Sequence, residues 1–358
     1  PKGIFEISPV KRKPLFQIFA EKLLDAKRVY GVEIPWMIMT SHLNDSDTRK
    51  FFEERGFFGL NPDSVYFLKQ GRMPAVTEGG KLILRSKNSL SMVPDGHGGC
   101  LRAMSRSGAL AALKKRGVDI ISYFQVDNPL VNIIDPHFVG FHILGGSQMS
   151  SKMIKKAYPL EKVGHFCVYE GSLCVVEYSD LPKEYQELRN PDGSIKFDAG
   201  SVAIHLIDLD FADRLGGYSD FSLPFHRANK KVAFADENGN PATPAEPNAI
   251  KFEMFVFDAL KMARNPLVIE GKRSQEFSAV KNASGVDSPA TCVRDQKIYF
   301  AEWLEKVGVR LERGADGAPK IDLEISPLFA SNEEEFVRRW NSLNPKPDIK
   351  TSPFYLGV

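Results

Sequence analysis

Cysteine is scarce in this 358-residue chain: Cys100, Cys167, Cys174 and Cys292 are the only four, and no two of them form a C-x-x-C pair. They are too sparse to staple a chain of this length, so they read as reduced and mostly buried thiols, which points to the cytoplasm. Long hydrophobic runs are missing as well. No stretch of eighteen apolar residues occurs, and the first residues carry no signal-peptide pattern, so nothing in the sequence asks for a bilayer. An excess of one charge sign is also lacking. Lys and Arg number 47 against 45 Asp and Glu, a formal charge of +2, which gives no electrostatic case for nucleic acid or a membrane surface. No internal repeat is found. What is present is ordinary globular composition, 43% hydrophobic and 26% charged, enough for one large core and a smaller second one.

Periodicity organises the chain. Leu15, Phe16, Phe19, Leu23, Leu24 and Ala26 recur at helical spacing before Gly31, which predicts an amphipathic helix over 14–30. A strand over 34–40, a polar helix over 44–55 and a strand over 65–69 follow in βαβ rhythm. Gly79-Gly80 marks a hairpin, 101–116 a helix, and 119–126 an apolar strand. This alternation predicts an α/β fold with a doubly wound, mainly parallel sheet. Segments 163–169, 173–178 and 202–207 are strand-rich and suggest a mixed sheet extension, 235–249 reads as a surface loop, and 251–263 as a helix with Phe252, Phe255, Val256, Phe257 and Leu260 on its apolar side. The expected organisation is a catalytic domain over 1–295 and a small C-terminal subdomain over 296–358, with a helix, a Gly-rich turn at 314–317 and a strand at 321–325.

Two motifs carry chemistry. Pro94-Asp95-Gly96-His97-Gly98-Gly99 is a glycine-dense turn whose amides could approach a flat base or a phosphate, and Val126-Asp127-Asn128 closes a buried strand where α/β sheets hold ligands and metals. Either could be merely a tight turn or a strand cap. Together they suggest a nucleotide site.

With Pro1-Lys2-Gly3, Lys69-Gln70-Gly71, Val175-Val176-Glu177-Tyr178-Ser179 and Glu276-Phe277-Ser278-Ala279-Val280-Lys281-Asn282, these motifs resemble the eukaryotic-type UDP-N-acetylglucosamine pyrophosphorylases from residue 1 to about 328. The resemblance implies a Rossmann-like, GT-A-like nucleotidyltransferase sheet and transfer of uridylate from UTP to a hexose-1-phosphate. N-acetylglucosamine-1-phosphate is the first choice; a UDP-glucose or UDP-galactose pyrophosphorylase, or a nucleotide-sugar-binding protein without turnover, stays open. It implies that Gln70 reads the uracil edge, an amide being both donor and acceptor, against Pro94, Gly96 and His97, the last standing where the family often has Asn. Asp127 would sit beside Mg2+, with Asn128 next to it in the substrate-binding set. Lys2 and Lys281 would offset phosphate charge as the catalytic pair, with Lys251 a weaker third lysine. Glu177 and the segment Phe197-Asp198-Ala199-Gly200-Ser201 would face the sugar, Asp198 and Ser201 replacing two Asn of a family FNAGN pattern. His205 reads as structural, and His165 and His226 have no partner legible in the sequence. Ahead of the PKG segment the family has a strand and a GGxGTRLG-type loop for the triphosphate, which the resemblance places upstream of this sequence.

Overall fold

The structure, a computed structural model, describes residues 1–217, 223–349 and 351–357. The first helix, Leu15–Tyr30, ends as expected on Gly31 in the left-handed conformation, φ +70°, whose N–H returns to the Lys27 carbonyl. Strands Trp36–Thr40 and Val65–Lys69 run parallel, Trp36 opposite Val65 and Thr40 opposite Lys69, with helix Asp45–Glu54 as the crossover. Phe52 from that crossover is fully buried among the rings of Phe16, Trp36, Phe58 and Phe67, with centroids 5.0–5.5 Å away. Mostly edge-on rings at this spacing add to the ~1.5–3 kcal/mol that burying such a side chain contributes.

The central six-stranded sheet runs Ser172–Val176, Gly164–Tyr169, Ala199–Asp208, Met149–Lys155, Leu267–Glu270, with Ile120–Tyr123 also paired to Ala199–Asp208. A register shift between Ser201 and Ile204, where Ala203 takes φ +55°, bends the long strand. Its first residues therefore pair with Gly164–Tyr169, and its last four pair with Ile120–Tyr123. Alternation along the strands feeds two cores: Met149 and Ile207 face one, Ile154, Ile204 and Leu206 the other.

The fold is α/β with both parallel and antiparallel ladders. Parallel pairing was expected to predominate, and that is corrected: among the described residues it joins only Trp36–Thr40 to Val65–Lys69, Leu267–Glu270 to Met149–Lys155, and Leu323–Ile325 to Phe354–Leu356. The cause is the ten-residue strand Ala199–Asp208, which is antiparallel to all three of its neighbours. Three local expectations change too. The helix over 101–116 is two helices, Gly99–Arg106 and Ala109–Lys115, broken where Gly108 takes φ +77°. The strand over 119–126 stops at Tyr123, so 124–128 leaves the sheet as a loop. The helix over 251–263 is strand Ala249–Glu253 followed by a short 3-10 helix, Val256–Met262. Nor does a boundary fall cleanly at 296, because helix Pro289–Lys306 spans it. Cys292 in its first half belongs to the core that also holds Phe19, Phe52 and Ile154, while Ala301, Trp303 and Leu304 belong to a separate C-terminal cluster with Phe336, Trp340 and Phe354.

Candidate active site

Gln70 follows directly on strand Val65–Lys69, and its side-chain Nε2 donates to the Gly96 carbonyl at 2.7 Å, so the expected base-reading amide and the glycine loop do meet. The loop is held by backbone. Met254 N–H donates to the Asp95 carbonyl and Gly98 N–H to the Met254 carbonyl, each at 2.8 Å. That contact explains the glycines. Gly96 has φ +86°, and a Cβ there would stand 2.3 Å from the Met254 oxygen; a Cβ on Gly98 would stand 2.8 Å from the Phe255 nitrogen. Pro94 closes the short strand Met92–Pro94 that carries the loop. Asp95, buried beneath it, keeps one carboxylate oxygen without a hydrogen bond, and burial raises its pKa.

His97 occupies the loop's centre. Gln125 Nε2 donates to the Tyr123 hydroxyl at 2.7 Å, and that hydroxyl lies 3.2 Å from His97 Nδ1. Val256 N–H points at the same nitrogen from 3.3 Å. Nδ1 is thus an acceptor, which leaves the proton of the neutral ring on Nε2. Burial, helped by the cationic His226, lowers the pKa of His97 to about 4, so the ring is neutral at pH 7. It stacks on Phe255 at 5.1 Å and lies 5.8 Å from Phe257. Tyr123, Phe255 and Phe257 were not picked out from sequence as site residues. The apolar–polar alternation Ile250, Lys251, Phe252, Glu253, Met254 is the period of extended chain and was the available signal that a strand, not a helix, leads into Phe255.

The phosphate-side residues also converge. Lys2, in the turn Lys2–Ile4, places Nζ 2.8 Å from Asp127 Oδ2. Val280 N–H donates to the Asp127 carbonyl at 3.0 Å, which brings the 276–282 motif alongside the 126–128 motif. Lys281 then lies 5.1 Å over the Phe277 ring, donates to the Lys162 carbonyl at 3.2 Å and stands 3.9 Å from Asp287. Asn128 departs from its expected place. It is 2% exposed, and its carboxamide is spent on protein backbone: Nδ2 donates to the Glu276 carbonyl at 2.7 Å and Oδ1 accepts from Ser278 N–H at 3.0 Å. It splices the two motifs and is not available to a substrate.

At the third corner, Glu177 is half-buried, and burial with nearby Asp180 raises its pKa to about 7, against the attraction of Lys281 and His226. His226 has partners after all: Nδ1 lies 2.7 Å from Asp180 and Nε2 2.9 Å from Asp258. His165 likewise lies 2.7 Å from Lys156. Gly200 pairs with His165 across the sheet, and Asp198 is anchored through its carbonyl by Lys156 N–H at 2.8 Å. Ser201 Oγ is buried without a hydrogen bond. His205 is structural as expected, fully buried with Nδ1 2.8 Å from Ser151 Oγ. Lys251 sits apart: it is on strand Ala249–Glu253, 3.6 Å from Glu253, and no hydrogen bond or ion pair ties it to Lys2, Asp127 or Lys281 among the described residues.

The Asp258 hydrogen bond chiefly, then that of Asp180, raises the His226 pKa from 6.5 to about 9 against the cost of burial. A raised histidine binds its proton more tightly folded than unfolded, so its stabilisation is full below pH ~6.5 and is lost as pH rises through about 9. Thermal melts from pH 6 to 10 should fall across this window in the parent and fall less in His226→Gln. Parallel curves would show that the two carboxylates do not hold a cation here.

For a divalent cation, no group of three or more His, Cys, Asp and Glu able to hold a metal exists among the described residues. Mg2+ is usually bound through one or two carboxylates completed by substrate phosphates and water, and the lone carboxylate of Asp127, its side chain 13% exposed, fits that donor set.

Residues 1–340 match the family described as UTP–glucose-1-phosphate uridylyltransferase. The chain is 35% identical to UDP-N-acetylhexosamine pyrophosphorylase-like protein 1 of Xenopus tropicalis over 99% of its own length and 73% of that protein's. It is 35% identical to the Saccharomyces cerevisiae UDP-N-acetylglucosamine pyrophosphorylase over 88% and 68% of the two chains. Among solved structures, one described as UDP-N-acetylglucosamine pyrophosphorylase from Entamoeba histolytica superposes with a TM-score of 0.85 at 30% identity, covering 99% of this chain and 88% of the other. The Trypanosoma brucei enzyme of that name, in complex with an inhibitor, gives 0.78 at 26% identity over 100% and 75%.

Proposed function

This chain belongs to the UTP–glucose-1-phosphate uridylyltransferase family, and from that premise we propose which of its residues carry the family's reaction. The protein is a uridylyltransferase of the UDP-N-acetylglucosamine pyrophosphorylase type: it forms UDP-N-acetylglucosamine and pyrophosphate from UTP and N-acetylglucosamine-1-phosphate. The sugar-phosphate oxygen attacks the α-phosphorus of UTP in line and pyrophosphate departs, without a covalent intermediate. Such transfer leaves positioning and charge neutralisation to the protein.

The observation that carries the assignment of roles is the Lys2–Asp127 pair, with the backbone next to Lys281 joined to Asp127 through Val280 and Gln70 fastened to the glycine turn. Lys2 and Lys281 offset charge at the transferred phosphoryl group, and Asp127 would hold Mg2+, which when bound neutralises phosphate charge. Gln70, Pro94, Gly96 and His97 hold uridine, and neutral His97 offers Nε2–H as a donor. Glu177, Asp198 and Gly200 line the sugar end. Lys251 and Asn128 are left outside direct contact. The doubly wound, Rossmann-like and GT-A-like reading rests on the βαβ unit Trp36–Lys69 and on site residues that follow strand ends. Four free thiols accord with a cytoplasmic, reducing setting.

Pyrophosphate release across a panel of hexose-1-phosphates tests the reaction; N-acetylglucosamine-1-phosphate should be used best, and preferential use of glucose-1-phosphate would overturn the sugar assignment. Gln70→Ala should weaken UDP binding by about 1–3 kcal/mol, the cost of leaving a buried polar partner unpaired. Calorimetry giving equal UDP and ADP affinities in the parent would remove Gln70 and the loop from base recognition.

A further inference from the structure

Lys22 lies in the middle of helix Leu15–Tyr30, is 8% exposed, and takes no part in the assignments above. Its Nζ donates to the Pro129 and Val131 carbonyls, both at 2.7 Å. These carbonyls belong to the stretch that leaves the sheet after Tyr123 and passes through Asp127 and Asn128. Leu130 and Val131 are 3% and 1% exposed, so this is irregular backbone in the interior, with no ladder to take up its carbonyls. One amine serves two of them. The same helix starts where the amino-terminal turn is tied down, Leu15 N–H donating to the Phe5 carbonyl at 3.1 Å just after Lys2–Ile4. Helix Leu15–Tyr30 is therefore the common frame for both members of the Lys2–Asp127 pair: the turn joins it at its first residue, the loop at Lys22.

We propose that Lys22 is a positioning residue for uridylyl transfer, setting from behind the loop the approach of Asp127 to Lys2. This inference rests on the active-site role given to Asp127. The tether does not depend on ionisation. Burial lowers the Lys22 pKa to about 7, and a neutral amine still has two N–H donors, one for each carbonyl. The charged groups around it are Glu276, whose carboxylate acts on Lys22 against the effect of burial, and Lys152, which pairs with Glu276 and with Asp135; Glu276 keeps its second carboxylate oxygen buried without a hydrogen bond. Small cavities of about 30 and 20 Å3, both lined by Lys22, give a larger side chain room.

Lys22→Met keeps an unbranched side chain, one atom shorter, and removes the donors. It should lower kcat at least tenfold, leave uridine affinity by calorimetry within twofold, and speed amide exchange selectively over 127–133. A kcat within twofold of the parent would overturn the proposal, as would uridine affinity and exchange failing throughout the molecule, the mark of a merely structural lysine. If Lys22→Met does not fold, Lys22→Arg carries the test, because a guanidinium can bridge both carbonyls and has room. It should recover at least a third of parental kcat with parental exchange over 127–133, and a folded Lys22→Arg with a tenfold loss would overturn the inference. Asp127→Asn run beside them separates the two readings. Lost turnover there with an unaffected Lys22→Met sinks the tether alone, whereas unchanged turnover in Asp127→Asn sinks the role of Asp127 itself.

Discussion

Asp127→Asn is expected to reduce turnover by at least a hundredfold while UDP-N-acetylglucosamine binds within about threefold of the parent. Asparagine keeps the shape of the side chain and removes its charge, so Lys2 loses its partner at 2.8 Å and Mg2+ loses its protein carboxylate. A nucleotide-sugar held by its base and sugar contacts does not depend on either. Stability should hardly change, because the Lys2 side chain is 55% exposed and an ion pair of that kind contributes no more than ~1 kcal/mol. Pyrophosphate release gives the turnover, calorimetry the affinity, and a thermal melt the fold. Full turnover in the mutant, or undiminished wild-type turnover in excess chelator, would take Asp127 out of the chemistry.

Gly96→Ala should abolish measurable uridine-nucleotide binding and lower stability by about 3 kcal/mol. Two costs add. A residue with a Cβ at φ +86° costs ~1–2 kcal/mol. The new methyl would also stand 2.3 Å from the Met254 carbonyl oxygen and 2.6 Å from its nitrogen, and backbone fixed in a buried segment cannot yield as a flexible side chain would. The loop must then leave Met254, and it takes with it the carbonyl that Gln70 holds. Gly80→Ala is the control: its φ is +78°, but a Cβ there meets nothing within 4 Å, so only the conformational cost of ~1–2 kcal/mol remains. Urea unfolding of the three proteins should rank parent, Gly80→Ala, Gly96→Ala. Equal losses in the two mutants would show that the close approach to Met254 is not what demands glycine.

Residues that must touch one another across long sequence separations were legible only where a motif marked them. Gln70, Gly96, Lys2, Asp127 and Lys281 stood out, and the structure brings Gln70 to Gly96, Lys2 to Asp127, and the Val280 backbone beside Lys281 to the Asp127 carbonyl. Asn128 stood out equally and serves backbone instead, since a carboxamide's partners depend on which chain passes beside it. His226 and His165 looked solitary because their partners, Asp180, Asp258 and Lys156, lie on other elements.

The sequence by itself determined the class of the fold, the helix that stops at Gly31, the parallel pair Trp36–Thr40 and Val65–Lys69, and the residue types able to meet a uridine nucleotide. Each of these depends on local physics: periodic burial, the conformational freedom of glycine, and the chemistry of a single side chain. Tertiary structure alone decided the antiparallel pairing around Ala199–Asp208, the break in the 99–115 helical segment, and the extended course of 249–255 against the glycine loop. It also decided that Lys22 reaches Pro129 and Val131. Pairing direction and buried partners are set by which segments compete for one edge or one interior carbonyl, and that competition takes place between residues from several tens to more than a hundred positions apart.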